Sequence, residues 1–453
     1  MANEIIGRLE NEKVSRLLLQ YAIPAVIGTM VNALYNIVDR VFIGQGVGAL
    51  AIAGLTLTFP ILLFLQAFGM LVGAGAATRV SIHLGRKANE MAEKVLGNAF
   101  TLTFIITIIT VVPCMIWMED LLLAFGGSEQ TIPYAKDYLN IVVPGTILTS
   151  LSFGFNAVMR ASGYPKKAML SSMLSVGCNL VLAPIFIFVF DWGIRGAAFA
   201  TLLSQSVALV WVLHHFLDKK TYIRFHRSTL KLRKRIVKQI FSIGMSPFIM
   251  NVCACCIVIF INYQLLSHGD DYSVGAFGII NRVQMLFVMI VMGIAQGMQP
   301  ITGYNFGAGL VDRARRSVQL GIAAGCTMTT LGFVLAVFFP GMLVGMFTDS
   351  ALLVEQASKA LSISMLSFPV VGAQIIICQF FQSIGKAFIA IFLSLSRQLL
   401  FLLPGLALLP VWMGVDGVWT SMPVSDFLAT VAAVVMFVYQ IRKFRRKAAV
   451  TTI

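Results

Sequence analysis

The sequence predicts an all-α integral membrane protein: twelve transmembrane helices in two six-helix lobes, related by a pseudo-two-fold axis along the membrane normal. Three observations predict it. Hydrophobic residues make up 58% of the chain and charged residues only 12%, about half the charged share of a soluble domain. Apolar runs long enough to cross a bilayer recur from end to end. The second half repeats features of the first at an offset of about 222 residues.

The apolar runs fall at approximately 17–43, 50–78, 95–118, 135–157, 167–190, 196–217, 238–266, 274–299, 317–346, 360–383, 386–411 and 416–440. The first residues are not read as a signal peptide. Glu4, Glu10 and Glu12 stand among them, the apolar run that follows is too long, and no small-residue cleavage site appears.

The net charge of +15 suggests nucleic acid, but its placement argues for a membrane. Of 34 Lys and Arg residues, 28 fall in the N-terminal segment, alternate loops and the C-terminal tail. Lys136, Arg195 and Lys359 are on the other side, and Arg40, Arg282 and Arg397 lie within helices. This positive-inside bias places both termini in the cytoplasm, with anionic lipid as the partner of the basic loops. All seven Cys fall in expected helices, so no disulfide frame is expected. Cys253, Cys255 and Cys256 lack a partner at metal spacing and read as packing.

The repeat is carried by several matches in order. Gly75 and Leu84-Gly85 match Gly297 and Phe306-Gly307, and Ser162-Gly163 matches Ile384-Gly385. Trp192-Gly193-Ile194-Arg195-Gly196 matches Met413-Gly414-Val415-Asp416-Gly417. An even number of helices per half gives both halves the same orientation. The expected organisation is an N-terminal lobe at 1–217, a basic cytoplasmic linker at 218–237 and a C-terminal lobe with a basic tail at 238–453. Two such lobes suit alternating access.

Asp39 is the main functional clue. It sits in the first apolar run, where an ionised, unpaired carboxylate is costly and usually marks a functional pathway. At about 100° per residue, Asn32, Asn36 and Asp39 share one helix face. Burial disfavours the charged form of a carboxyl, so Asp39 is the group expected to take up and release a proton. Asn32, Tyr35, Asn36, Asn156 and Asn179 are candidates for a substrate path, against the alternative of helix–helix hydrogen bonds. Pro24 breaks one helical hydrogen bond and, with Gly28 nearby, is the expected hinge. In the second half, Asp426, Arg282 and Arg397 are expected to form an Arg–Asp–Arg cluster, either a structural salt bridge or a second ionisable site.

These residues resemble the multidrug and toxic compound extrusion (MATE) family, in its MepA-like bacterial branch. The likeness rests on Leu34-Tyr35-Asn36-Ile37-Val38-Asp39-Arg40-Val41-Phe42-Ile43-Gly44 and Gly73-x-Gly75-Ala76-Ala77-Thr78. Residues 179–188, Gly196-Ala197-Ala198-x-Ala200-Thr201, Gln299-Pro300 with Asn305-x-Gly307, and Pro423-Val424-Ser425-Asp426 extend it. It implies a cation-coupled antiporter that exports small cationic amphipathic drugs or dyes. It also implies a coupling site in which Asp39 matches the family's helix 1 acid, Asn179 its helix 5 amide and Thr201 its helix 6 hydroxyl. Many relatives carry Asp where this chain has Ala183.

A lone carboxylate favours H+ as the coupling ion. Na+ is the competitor, a hard cation with Asp39, Asn36, Asn179 and Thr201 as oxygen donors. No other cofactor or resident metal is expected, and the chain reads as a monomer of the bacterial inner membrane. A flippase for lipid-linked precursors is the alternative within the same fold, disfavoured by few cleft cations. A membrane-embedded lipid enzyme ranks lower. The five His form no cluster with acid and Arg, and no phosphate-cradling GxxxxGK[ST] loop is present.

Overall fold

A bilayer offers no partner for backbone N–H and C=O groups, so long apolar runs satisfy them internally as helices. The computed structural model describes residues 2–451, with side chains described except at 2–6, 36, 49, 255, 271 and 445–451. In order, the helices are α1 (Ala2–Asn11), α2 (Val14–Gly46), α3 (Ala49–Gly85), α4 (Asn89–Ile116), α5 (Met118–Ala124), α6 (Ile132–Ala161), α7 (Pro165–Pro184) and α8 (Gly193–Leu217). There follow α9 (Lys234–His268), α10 (Asp271–Gly307), α11 (Val311–Phe338), α12 (Pro340–Gly345), α13 (Ala351–Ser364), α14 (Phe368–Ser383), α15 (Ala387–Leu395), α16 (Leu403–Met413) and α17 (Val415–Thr451). Wide π-helical turns follow α7 at Ile185–Val189 and link α15 to α16 at Ser396–Leu402.

Among the described residues, eleven helices are long and apolar enough to span a membrane, and α13 with α14 makes a twelfth span bent by 54°. The span expected at 360–383 is therefore not one helix. It breaks at 365–367, just before Pro369 in the first turn of α14. Proline removes a backbone donor and disfavours helical geometry in the residue before it, so a new helix starts there.

The chain folds as two compact units. Unit 1 holds the residues up to Glu12 and Ile27–Asn251; unit 2 holds Lys13–Val26 and the residues from Val252 onward. The divisions fall inside α2 and α9, whereas the sequence reading put them at 217 and 238. The basic segment at 218–237 belongs to unit 1. Asn98, fully buried on α4, donates to the carbonyls of Thr229 and Lys231, each at 3.2 Å, and accepts from the Arg233 N–H at 2.7 Å. Thr101 donates to Leu230 O at 2.8 Å, and Phe225 stacks edge-on against Phe100. One buried amide thus meets three backbone groups that a loop over an apolar surface would leave unpaired.

Within each unit the duplication is visible. The short helices α5 and α12 occupy the same repeat position. In unit 1 Gly196 lies against the Phe186 carbonyl, and in unit 2 Gly417 lies against the Leu409 carbonyl, neither with room for a Cβ. An ion pair stands at one repeat position in both units with its polarity reversed. Arg195 Nη2 meets Asp137 Oδ1 at 2.7 Å, and Asp416 Oδ2 meets Lys359 Nζ at 2.7 Å.

Candidate functional site

The site in unit 1 is built on α2, α6, α7 and α8. Asp39, on α2, is only 9% exposed, and its Oδ1 is buried without a hydrogen-bond partner. One turn earlier, the Tyr35 hydroxyl lies 3.0 Å from Thr201 Oγ1 on α8. Thr201 uses its own proton on the Ala197 carbonyl at 3.1 Å. A threonine hydroxyl has one proton, so Tyr35 must donate to it. Asn179, on α7, also donates to Thr201, at 3.4 Å. Tyr138, on α6, is 7% exposed and lies in the field of Asp39 beside Thr201.

Of the expected coupling residues, Asn179 and Thr201 bond directly, and Tyr35 joins them. Asp39 sits beside this network, and its Oδ1 bonds none of its members. The Asn36 side chain lies outside the described residues. Arg40 is exposed, with its guanidinium 5.8 Å from the Phe59 ring centroid. Ala183 is fully buried in an apolar cluster with Ile43, Ile187 and Ala197. No group of three or more His, Cys, Asp or Glu suited to a metal occurs among the described residues.

The sequence reading missed Tyr138. Its signal was a phenol in an apolar span whose repeat counterpart is Ala360. Among the path candidates, Asn32 is exposed. Asn156 is buried, donates to Ala168 O at 2.7 Å and Ser171 Oγ at 2.5 Å, and accepts from Arg160. These bonds tie α6 to α7. Pro24 is buried within α2, two residues before the chain passes from unit 2 to unit 1.

In unit 2, Asp426 on α17 is 6% exposed and takes a bond from Arg397 Nε at 2.6 Å. Arg397 lies in the π-helical turn. The expected Arg–Asp–Arg trio is a pair. Arg282 is exposed on α10 and forms no ion pair with Asp426 among the described residues. A single guanidinium already neutralises the carboxylate, and Arg282 lies on the solvent- or lipid-facing side of a helix whose neighbouring Ile280 and Val283 fill the core.

The two units differ most at the Asp39 site. At the repeat offset, Tyr35, Asp39, Tyr138 and Thr201 correspond to Ile257, Ile261, Ala360 and Met422. All four of these are buried in one apolar cluster. The same framework therefore closes with hydrocarbon at these positions, and the polar set of unit 1 is not required by packing.

The chain matches the MatE family over residues 24–185 and 247–406. It is 26% identical over 444 residues to the multidrug export protein MepA of Staphylococcus aureus (strain MRSA252), covering 98% of this chain and 97% of that protein. It is 25% identical over 442 residues to the MepA of Staphylococcus haemolyticus, with the same coverage. Among solved structures it resembles an outward-facing multidrug resistance MATE transporter, with TM-score 0.91 and 22% identity over 96% of this chain and 98% of that one. A transporter of the MOP superfamily from Pyrococcus furiosus aligns with TM-score 0.89 and 22% identity over 97% of this chain and 98% of that one. At these identities the solved structures speak for the fold.

Proposed function

The chain belongs to the MatE family of membrane transporters, and from that premise we propose that it is a cation-coupled multidrug antiporter. It exports small cationic amphipathic drugs or dyes across the bacterial inner membrane by alternating access. Asp39 binds the coupling ion. The observation that carries this reading is a buried carboxylate with an unpartnered oxygen, at a position that the other half fills with Ile261.

H+ is the coupling ion in this reading, with Na+ as competitor. Sodium needs several oxygen donors around one point. Here Thr201 Oγ1 already receives two hydrogen bonds, and Ala183 offers no second carboxylate. A proton needs only the carboxyl. Protonation discharges Asp39, which lowers the cost of holding α2 against α6 and α8 in apolar surroundings. Ionisation favours a state in which the carboxylate meets water or a cation. A drug that prefers one of these states is thereby coupled to the proton, because each ligand biases the same equilibrium. Tyr35 and Asn179 hold Thr201 in a fixed orientation, and Pro24 lets α2 bend.

The chain acts as a monomer with both termini in the cytoplasm, a placement supported by the basic loops. The test is dye efflux from vesicles containing purified protein, under a proton gradient or a sodium gradient imposed separately. Efflux driven by the proton gradient alone is expected. Efflux that follows only the sodium gradient overturns proton coupling, and no efflux under either gradient overturns the antiport reading.

A further inference from the structure

Arg160 is the penultimate residue of α6, a membrane-spanning helix of unit 1, and it is half-buried. A charged group in a spanning helix ordinarily has a partner of opposite sign. Arg397 in unit 2 has one, with Asp426 at 2.6 Å. Among the described residues no carboxylate pairs with Arg160 or lies in its field. Packing does not require the charge either. At the repeat offset, Asn156 and Arg160 correspond to Cys378 and Gln382, and Gln382 is buried and neutral.

The one partner of Arg160 is an amide. Its Nη1 donates to Asn156 Oδ1, one turn back on α6. Asn156 cannot turn away, because its Nδ2 donates to Ala168 O at 2.7 Å and to Ser171 Oγ at 2.5 Å. The amide oxygen is thus fixed toward Arg160, and it orients the guanidinium. Nor is Arg160 spent on the end of its own helix. The carbonyls of Val158, Met159 and Arg160 already accept from the N–H groups of Ser162, Tyr164 and Gly163, at 2.9, 3.1 and 3.1 Å.

That leaves the edge formed by Nε and Nη2. Neither atom donates to a described residue, and neither is sealed off inside the protein. Along this edge a guanidinium presents two parallel N–H groups, spaced for two oxygens of one anion. α6 ends one residue later, at the depth where the apolar core of a bilayer gives way to its phosphates.

We propose that Arg160 anchors a binding site for a phosphate group, held by paired bonds from Nε and Nη2 and separate from the Asp39 site. The phosphodiester of an anionic lipid and free inorganic phosphate share this chemistry.

The test is thermal melting of the full-length detergent-purified protein against rising concentrations of two probes, dioctanoyl phosphatidylglycerol and inorganic phosphate. Dioctanoylglycerol, which lacks the phosphate, is the control. A ligand of the folded state raises the melting temperature, and the concentration dependence gives its affinity. Other basic groups are the same in each variant, so the difference from wild type reports Arg160. Affinity for at least one probe is expected to fall about tenfold or more in Arg160→Gln, the residue of unit 2, as one charge-assisted contact is lost. Arg160→Lys keeps the charge but not the paired N–H groups, and is expected to weaken binding as well. It decides the matter if Arg160→Gln fails to fold. An Arg160-dependent shift with the lipid alone assigns the site to a headgroup, and one with inorganic phosphate assigns it to the free anion; both support the site. Equal affinities in wild type and Arg160→Gln overturn the proposal. So does full binding in Arg160→Lys, an equal Arg160-dependent shift with dioctanoylglycerol, or no shift with either probe.

Discussion

The two halves share a framework and spend their buried polar groups differently. Unit 1 places Asp39, Tyr35, Tyr138 and Thr201 where unit 2 has Ile261, Ile257, Ala360 and Met422. Unit 2 places the Arg397–Asp426 pair where unit 1 has Ser175 and Gln205. The two carboxylates are not equivalent. Asp426 has a guanidinium at 2.6 Å, whereas Asp39 Oδ1 has no partner. A carboxylate beside a guanidinium has its charge compensated, while an unpaired buried one gains by taking a proton or a cation. The difference is that one half buries a carboxylate oxygen without a partner and the other buries a carboxylate already paired, which is what the proposed antiport asks of each.

Exchanging residues between the halves is the severest way to break this comparison. Ile261→Asp puts an unpartnered carboxyl into an apolar cluster and is expected to cost about 3 kcal/mol or more, read as a large drop in melting temperature. Asp39→Ile gives unit 1 the residue that unit 2 tolerates. It is expected to melt at the same temperature or higher, while dye efflux falls to background. Retained efflux in Asp39→Ile breaks the comparison outright.

A double-mutant cycle of Arg397→Met and Asp426→Asn sharpens the other side of it. Each single change strands a group, and the double change does not. A coupling energy of about 1–3 kcal/mol is expected in thermal or denaturant unfolding, and a value near zero reduces the pair to a surface contact. Asn98→Ala tests whether the basic segment is truly part of unit 1. It leaves three backbone groups without their partner, at a cost of about 1–3 kcal/mol. Limited proteolysis between 218 and 237 is then expected to speed up well before global melting. An unchanged cleavage rate makes the segment a free linker after all.

The smallest effect is expected at the matched outer ion pairs. Both are substantially exposed, with side-chain exposures of 63% and 38% for Arg195 and Asp137 and 64% and 42% for Lys359 and Asp416. Reversing the polarity of either pair by double substitution is expected to change stability by about 0–1 kcal/mol. Since the two units already use opposite polarities, a larger change at only one pair reveals a role beyond holding helix ends.

Much of the fold was legible because the bilayer enforces simple rules. Span length, the loop positions of Lys and Arg, and the repeat of Gly196 at Gly417 all follow from helix geometry and lipid. What stayed hidden depends on contacts distant in sequence. The break at 365–367 needs Pro369 to win over a continuous apolar run, whereas the repeat-related run in α6 continues through Pro144. The docking of residues 225–233 on α4 rests on Asn98, Thr101 and Phe100, which look in the sequence like any residues in the first turns of a helix. Asp39 stood out because its cost is local. Tyr138 did not, because its meaning comes from facing Thr201 across two helices. Arg282 was misplaced for a related reason: equal depth along a helix does not specify which face a residue occupies.

Proton release on dye binding tests the central claim most directly. Purified protein is mixed with a cationic dye in weakly buffered solution containing a pH indicator, and wild type is compared with Asp39→Asn and Asp426→Asn. Release in wild type and in folded Asp426→Asn, with none in Asp39→Asn, is the expected result. Undiminished proton release from Asp39→Asn would contradict the assignment of coupling to that carboxylate.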